Sequence, residues 1–532
     1  MAAIITDQIR ILNAKNFVAG VSTSTNSYYA FVGLPNPTTY QSDWDSNPPA
    51  PIDNFDNMNE FYDTMVAVKR VTSEDVKLIV PKLNWRSGTT YDYYRHDYSI
   101  SNAPPNSGGT SLYTANYFVV NSDFRVYICL QNGTTPETPD GKPSLDEPTF
   151  TDLEPRTPGT SGDGYIWKYL YSIKPADLIK FDSTDFMPVP ANWGSDAGDA
   201  AVKNNATDGG IKIVVVKNRG TGIGTANQTY TRVPINGDGQ NAECTVVVNN
   251  DAQIESVTVS NEGFGYTHGV VDLAAGSVPT QTSPPVLDVI IPPPGGHGAD
   301  IYRELGSSNA LMYARIENDA ENPDFITGNQ ISRIGLLENP KAFNSNEILT
   351  LEKASAVYAV KLIGTTVDSD YQSASFTADS YIRQTVGTGV TAVGRVVSYD
   401  ATTGVLKYWQ DRTVAGFATA TTLASGISTA LYPAHLDVNV PSYTQQRFTA
   451  TPLTGGDKKI IGGTKDLSID SNFVGLSTTL NNRTYYLGQS FTRGVSNPEI
   501  DKYSGNTIYV DHRPSITRSS NQKEDIKIIL QF

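Results

Sequence analysis

Cysteine is nearly missing from these 532 residues: there are two, Cys129 and Cys244, each in an apolar stretch and far apart. Neither a CxxC motif nor a disulfide framework can be built from them, so both read as reduced core residues. Basic charge is also short, with 40 Lys plus Arg against 55 Asp plus Glu and a formal charge of -15. Such a surface repels phosphate backbones, which argues against nucleic acid as a partner. No apolar run approaches membrane length, and Asp7, Arg10 and Lys15 interrupt the first segment before it could act as a signal peptide. A soluble chain made in a cytoplasm, with no membrane partner, is expected. Enzyme signatures are lacking too: GxSxG, HExxH and Walker A patterns do not occur, and the Gly141-Lys142 pair runs into Pro143. Five histidines, His96, His268, His297, His435 and His512, are scattered without metal-ligand spacing and read as turn or surface residues.

What the chain has in quantity is turn and strand material. Hydrophobic residues make up 39% and charged residues 18%, with 44 Gly, 31 Pro and 29 Tyr, the profile of many short strands joined by turns. The length calls for at least two cores. Thr6 and Asp7 can cap a helix whose packing stripe would be Ile5, Ile9 and Leu12, with Gly20 as its stop. A second helix after Asn57 would place Met58, Phe61, Met65 and Val68 on one face. Pro35 to Asp53 reads as a long ordered loop, and Asn132 to Gly162 as a Pro, Thr and Gly loop of unusual length, of the kind that serves an interface or is disordered. Strands are expected at Lys77 to Val80, as a pair within Tyr117 to Leu130, at Tyr165 to Tyr171 after the Gly162-Asp163-Gly164 turn, at Leu311 to Ile316 and at Ile331 to Leu337. Gly394 to Tyr399 and Gly404 to Tyr408 flank a turn at Asp400 to Thr403. At the end of the chain Ile526, Ile528, Leu530 and Phe532 alternate with Lys527 and Gln531, the period of a half-buried strand, so deleting even Phe532 should damage the fold.

Val214, Val216, Asn218, Gly220 and Gly222 recur as Val257, Val259, Asn261, Gly263 and Gly265, an internal repeat of strand and tight turn. The glycines Gly220, Gly222 and Gly224 follow a strand as in a dinucleotide site, but the third is misplaced and Thr225 to Tyr230 is turn-like instead of helical. The pairs Asp43/Asp45 and Asp368/Asp370 lack the continuation of a calcium loop and read as solvated loop carboxylates. No catalytic, cofactor-binding or metal residue is nominated, no cofactor is expected, and the chain is read as a non-enzyme. Pro284 to Asp300 reads as a Pro-rich linker closing one region.

Four blocks stand in a telling order: Met65 to Trp85 with LIVPKLNW; GDGYIWKYLYSI from Gly162 to Ile173, followed by Met187 to Pro190 and Trp193; RIGLLENP from Arg333 to Pro340; and IYVDHRPSITRSSNQKEDIKIILQF at the end. In these blocks the sequence resembles the baseplate wedge subunit encoded by gene eight of T-even-type contractile-tailed phages. The resemblance covers about Met1 to Trp193, Leu311 to Leu351 and Tyr486 to Phe532. It implies a mainly β protein with a layered β-sandwich core and a few short helices in loops. The core would comprise residues 1–194, 301–363 and 471–532, with inserted β modules at 195–300 and 364–470. It further implies a homodimer, other baseplate wedge subunits as partners, a place in the virion tail baseplate after assembly in the host cytoplasm, and no catalytic residues to carry over. Tyr91 to Tyr94 and the Asp43 to Asp45 loop, with Trp44, would be interface anchors or core, both readings being open. The two Gly- and Tyr-rich insertions leave a host-recognition or carbohydrate-binding virion protein as the alternative.

Overall fold

The computed structural model describes residues 4–23, 25–36, 42–279, 282–317, 330–363, 374, 376–387, 390–410, 448–450, 459–460, 466–517, 519 and 522–532. Strand takes 42% and helix 11%, with five short helices among the described residues and multiple antiparallel sheets of the β-sandwich type, so the cores are built mainly by sheets. The chain divides into two compact units: Met1–Ala19, Val76–Met312 and Ile528–Phe532 form one, Gly20–Asp75 and Tyr313–Lys527 the other.

In the first unit, Phe118–Val120, Arg125–Asn132 and Tyr165–Ser172 form a three-stranded antiparallel sheet. The aromatic run of the last strand explains its position. Tyr165, Trp167, Leu170 and Tyr171 are fully buried, and the Tyr165 and Trp167 rings stack at 5.5 Å. Each such ring is worth about 2 kcal/mol in burial alone. Val76–Pro81 pairs with Asn309 to Met312 on one side and with Phe186–Pro188 on the other. Phe532 packs against this core, with its ring 5.6 Å from that of Phe17. Ile526 and Ile528 are buried while Lys527 and Gln531 are exposed, which is the alternation expected of the last strand, Lys523–Gln531.

Residues between 211 and 291 bury a hydrophobic cluster of their own around Val233, Cys244 and Val246. The two repeat copies fall on Ile213–Asn218 and Ile254–Asn261. Each copy ends identically: the Asn218 side chain accepts from the Gly220 N–H, and Asn261 accepts from the Gly263 N–H. The glycines take φ of 68° and 61°, the left-handed region where a Cβ is penalised.

In the second unit the central sheet runs Lys353–Ser355, Met65–Val71, Tyr28–Gly33, Gln330–Glu338, Asn506–Thr517. All six residues of Tyr28–Gly33 are buried, so the strand is an unbroken apolar run covered on both faces. Gly335 sits where Phe31 crosses: a Cβ there would meet Phe31 Cε1 at 2.2 Å and the Tyr509 carbonyl oxygen at 2.4 Å. A second five-stranded sheet holds Tyr381–Gly387, Val390–Asp400, Val405–Trp409, Tyr358–Lys361 and Val495–Ser496, and its Asp400 to Thr403 turn is the one expected.

Several expectations are corrected. The first helix, Asp7–Val21, runs through Gly20, and its packing face is Ile11, Ala14, Phe17 and Val18, while Ile5, Ile9 and Leu12 are exposed. The second helix spans Phe55–Thr64, starting before Asn57 and capped by Asn54; Met65 and Val68 lie on the following strand, where the β-branched residues Val66, Val68 and Val71 take over. Pro284 to Asp300 is not a linker. Its Val286–Ile290 is a strand paired with Ile213–Asn218.

Candidate functional site

A cleft of about 160 Å³ opens in the first unit between the end of Tyr165–Ser172 and two helices, Pro175–Phe181 and Ala197–Asn204. Pro175 presets the first turn of one helix, with Asp177 in that turn. Asp196 caps the other helix by accepting from the Asp199 N–H at 2.9 Å, a D-x-x-D start that sets two carboxylates side by side. Lys77 reaches in from Val76–Pro81 and pairs with Asp177 at 2.5 Å above the Phe181 ring. Lys174 pairs with Asp196 at 2.8 Å. Tyr171 forms the floor and donates to the Pro188 carbonyl.

Three carboxylates therefore meet two ammonium groups, and Asp199, without an ion pair of its own, shares a side-chain hydrogen bond with Asp196 and the field of Lys174. It is 8% exposed, it lines the cleft, and among the described residues it takes part in no ion pair. Burial first, and then the neighbouring Asp196 carboxylate, push its pKa up to about 6 against the opposing pull of the Lys174 ammonium. Asp196 moves the opposite way, lowered by the Asp199 backbone N–H and by Lys174. One carboxyl is thus held ionised and its neighbour half-neutral near pH 6, the pattern of an acid pair sharing the first turn of a helix. The sequence reading nominated none of these residues; the D-x-x-D cap was the signal that could have found them.

The carboxylates and histidines singled out in the sequence do other work. Asp45 accepts from the Ser515 N–H, tying a loop down, and Trp44 is buried, donating to the Arg513 carbonyl. Tyr91, Tyr93 and Tyr94 are 1 to 3% exposed, so these aromatics and Trp44 are core and not interface anchors. Gly220 to Gly224 is a turn with Ile223 fully buried inside it. Asp368, Asp370 and His435 lie outside the described residues. His96 accepts from the Ile291 N–H, and His268 sits exposed beside Asp238. The other two are not at the surface: His297 lies in the expected glycine turn but is buried, and His512 is half-buried on a strand. His297 is buried with Nδ1 2.7 Å from Glu304, whose second oxygen accepts from the Gly298 N–H, and its ring meets Tyr94 edge-on at 4.7 Å. The buried Lys168 lies in the field of Glu304, its pKa lowered by burial.

His512, in the second unit, belongs to a hub around Arg333. That guanidinium is fully buried and is satisfied by neutral acceptors: His512 Nε2 at 3.1 Å, Thr64 Oγ1 at 2.5 Å, Asn36 Oδ1 at 2.7 Å and the Leu34 carbonyl, with the Trp44 ring 4.8 Å away. His512 Nδ1 donates to the Pro49 carbonyl at 2.8 Å. Since Nε2 must accept from Arg333, the hydrogen-bond network assigns the ring its neutral Nδ1–H tautomer. Both cysteines are buried thiols. Among the described residues no helix is long and apolar enough to cross a membrane, and no group of three or more metal-ligating side chains converges. No family model matches the chain, and no curated protein does.

Proposed function

We propose that this chain is a structural subunit of a phage tail baseplate wedge, holding neighbouring wedge proteins together during tail assembly and contraction. One observation supports the reading above the rest: the segments that carry the resemblance are strands paired in the cores. LIVPKLNW supplies Leu78 to Pro81 of the strand Val76–Pro81, whose Ile79 and Val80 pair with Pro188 and Met187 of the second block. RIGLLENP supplies Arg333 to Glu338 of the strand Gln330–Glu338, which pairs with the last block from Arg333↔His512 to Leu336↔Tyr509. Segments that resemble a family and also hydrogen-bond to one another constrain a frame, where isolated surface motifs would not.

A scaffold of this kind works by presenting rigid surfaces to several neighbours, and its function lies in register between subunits instead of in a reaction. The test is assembly. Light scattering of the purified chain should give a dimer mass, and co-expression with wedge subunits of a contractile-tailed phage should yield a co-purifying complex. A chain that stays monomeric and recovers no wedge subunit overturns the proposal.

A further inference from the structure

We propose that Asn236 modifies itself, turning into aspartate and isoaspartate and thereby loosening the edge strand Gly269–Val271. The Gly237 backbone nitrogen attacks Asn236 Cγ, a C–N bond forms as the bond to Nδ2 breaks, and the displaced proton leaves with ammonia. Water then opens the succinimide ring at either carbonyl, so the sum is asparagine plus water giving acid plus ammonia, with no oxidant or enzyme. This reading stands apart from any place in a wedge. Asparagine before glycine suits the chemistry because, with no Cβ, glycine can bring its nitrogen close to the preceding side chain. The chain has two such pairs, Asn132-Gly133 and Asn236-Gly237, and the fold treats them oppositely. Asn132 is fully buried; its amide donates to the Tyr91 carbonyl at 2.8 Å and to that of Asp140, and its oxygen accepts from Thr134, which locks the side chain. Asn236 and Gly237 are exposed, and the one side-chain bond of Asn236 among the described residues runs from Nδ2 to Asp272 Oδ2 at 2.7 Å. They end the strand Thr229–Gly237, whose partner here is only three residues long and is the last strand of its sheet. Strand ends of that kind open at little cost. The Asp272 N–H donates to the Pro234 carbonyl, and the alternation of an antiparallel ladder then points the Gly237 N–H away from Gly269. That N–H meets no acceptor among the described residues, so the attacking nitrogen is not tied down. Conversion sets a carboxylate where an amide now donates to Asp272, and like charges across a strand pair repel. Isoaspartate also lengthens the backbone by one methylene opposite Val270, which disturbs the pairing as a bulge does.

The test holds the full chain at pH 8 and 37 °C and follows both asparagines by peptide mapping, with the urea-unfolded chain as the clock. Each conversion makes its peptide about 1 Da heavier. When the unfolded chain has converted half of both asparagines, the folded chain should show Asn236 converting and Asn132 intact. The Val270 and Asp272 amides of the aged chain should then exchange with deuterium about tenfold faster, as the loss of one hydrogen bond to a charged group predicts. Freshly made Asn236→Asp should show the same exchange without ageing. Asn236→Gln keeps an amide but needs a six-membered ring, so it should age with no change in mass or exchange. Asn236 is exposed, so neither variant disturbs the core. Asn236 still intact at that time, or both asparagines converted alike, overturns the self-modification. Exchange unchanged in the aged chain and in Asn236→Asp overturns the loosening.

Discussion

Acidification should weaken the second unit through His512, and the size of the effect follows from its surroundings. Its ring lies 5.0 Å from Trp44 and edge-on to Phe61 at 5.6 Å, and Nε2 accepts from Arg333. Protonation would set an N–H against the guanidinium N–H and place a second positive charge beside a buried one. Burial first, then the Arg333 charge, therefore hold its pKa down at about 4, against 6.5 for an ordinary histidine. The folded pKa is the lower of the two, so between about pH 6.5 and 4 the unfolded chain binds the extra proton. Stability from this group is full above pH 7 and drains away as pH falls through that window. The gap corresponds to about 3 kcal/mol at most; the ring is only partly buried, and solvent screening cuts this to about 1–1.5 kcal/mol by pH 4.5.

The assay is chemical denaturation of wild type and His512→Gln, followed by tryptophan fluorescence, at pH 7.5, 6 and 4.5. Glutamine keeps a donor and an acceptor but does not titrate, and the difference between the two proteins cancels every other ionisation. The variant should be less stable at pH 7.5 by about 1–2 kcal/mol, the net worth of about one charge-assisted hydrogen bond. The gap should close by about 1–1.5 kcal/mol at pH 4.5. A gap that is constant with pH refutes both the tautomer and the coupling to Arg333.

Other perturbations follow from the packing. Gly335→Ala must push Phe31 or the Tyr509 backbone aside and should cost about 2–3 kcal/mol in denaturant midpoint, whereas an unaffected protein would show that the strand crossing is looser than described. His297→Ala removes one of the two hydrogen bonds that the buried Glu304 side chain makes and should cost about 1–3 kcal/mol in urea melts, and an unchanged melt would deny that the contact holds the turn. Removing Phe532 should destabilise the first unit by about 1–2 kcal/mol. Phe17→Ala should add little on top of that deletion, and full additivity in the double-mutant cycle would deny the ring contact.

The elements legible in the sequence were those whose signal is local. Tyr165–Ser172 announced itself by aromatic density after a glycine turn, the final strand by its alternation, and the repeated turns by Asn two residues before Gly. What failed depended on distant partners. The first helix carries two apolar stripes, Ile5-Ile9-Leu12 and Ile11-Ala14-Val18, and nothing in its own residues tells which one the core covers. Val286–Ile290 is flanked by prolines, and only its pairing with Ile213–Asn218, about 70 residues earlier, makes it a strand. The histidines failed for the same reason: His297 is seven residues from Glu304, but its burial comes from Tyr94, and His512 owes its state to Arg333 and Pro49. The cleft was invisible because Lys77, Lys174 and Asp199 converge only after the strand and both helices are in place.

The interleaving of the two units bears on how the chain is made. Residues leave the ribosome in order, and domains fold as their last required segment appears. The second unit has all of its residues once Lys527 has emerged, whereas the first unit, although most of it is synthesised by Met312, still waits for Ile528–Phe532. The half begun first is thus finished last. Between those points more than two hundred residues are added while the first unit lacks the segment whose Phe532 packs against its aromatic core.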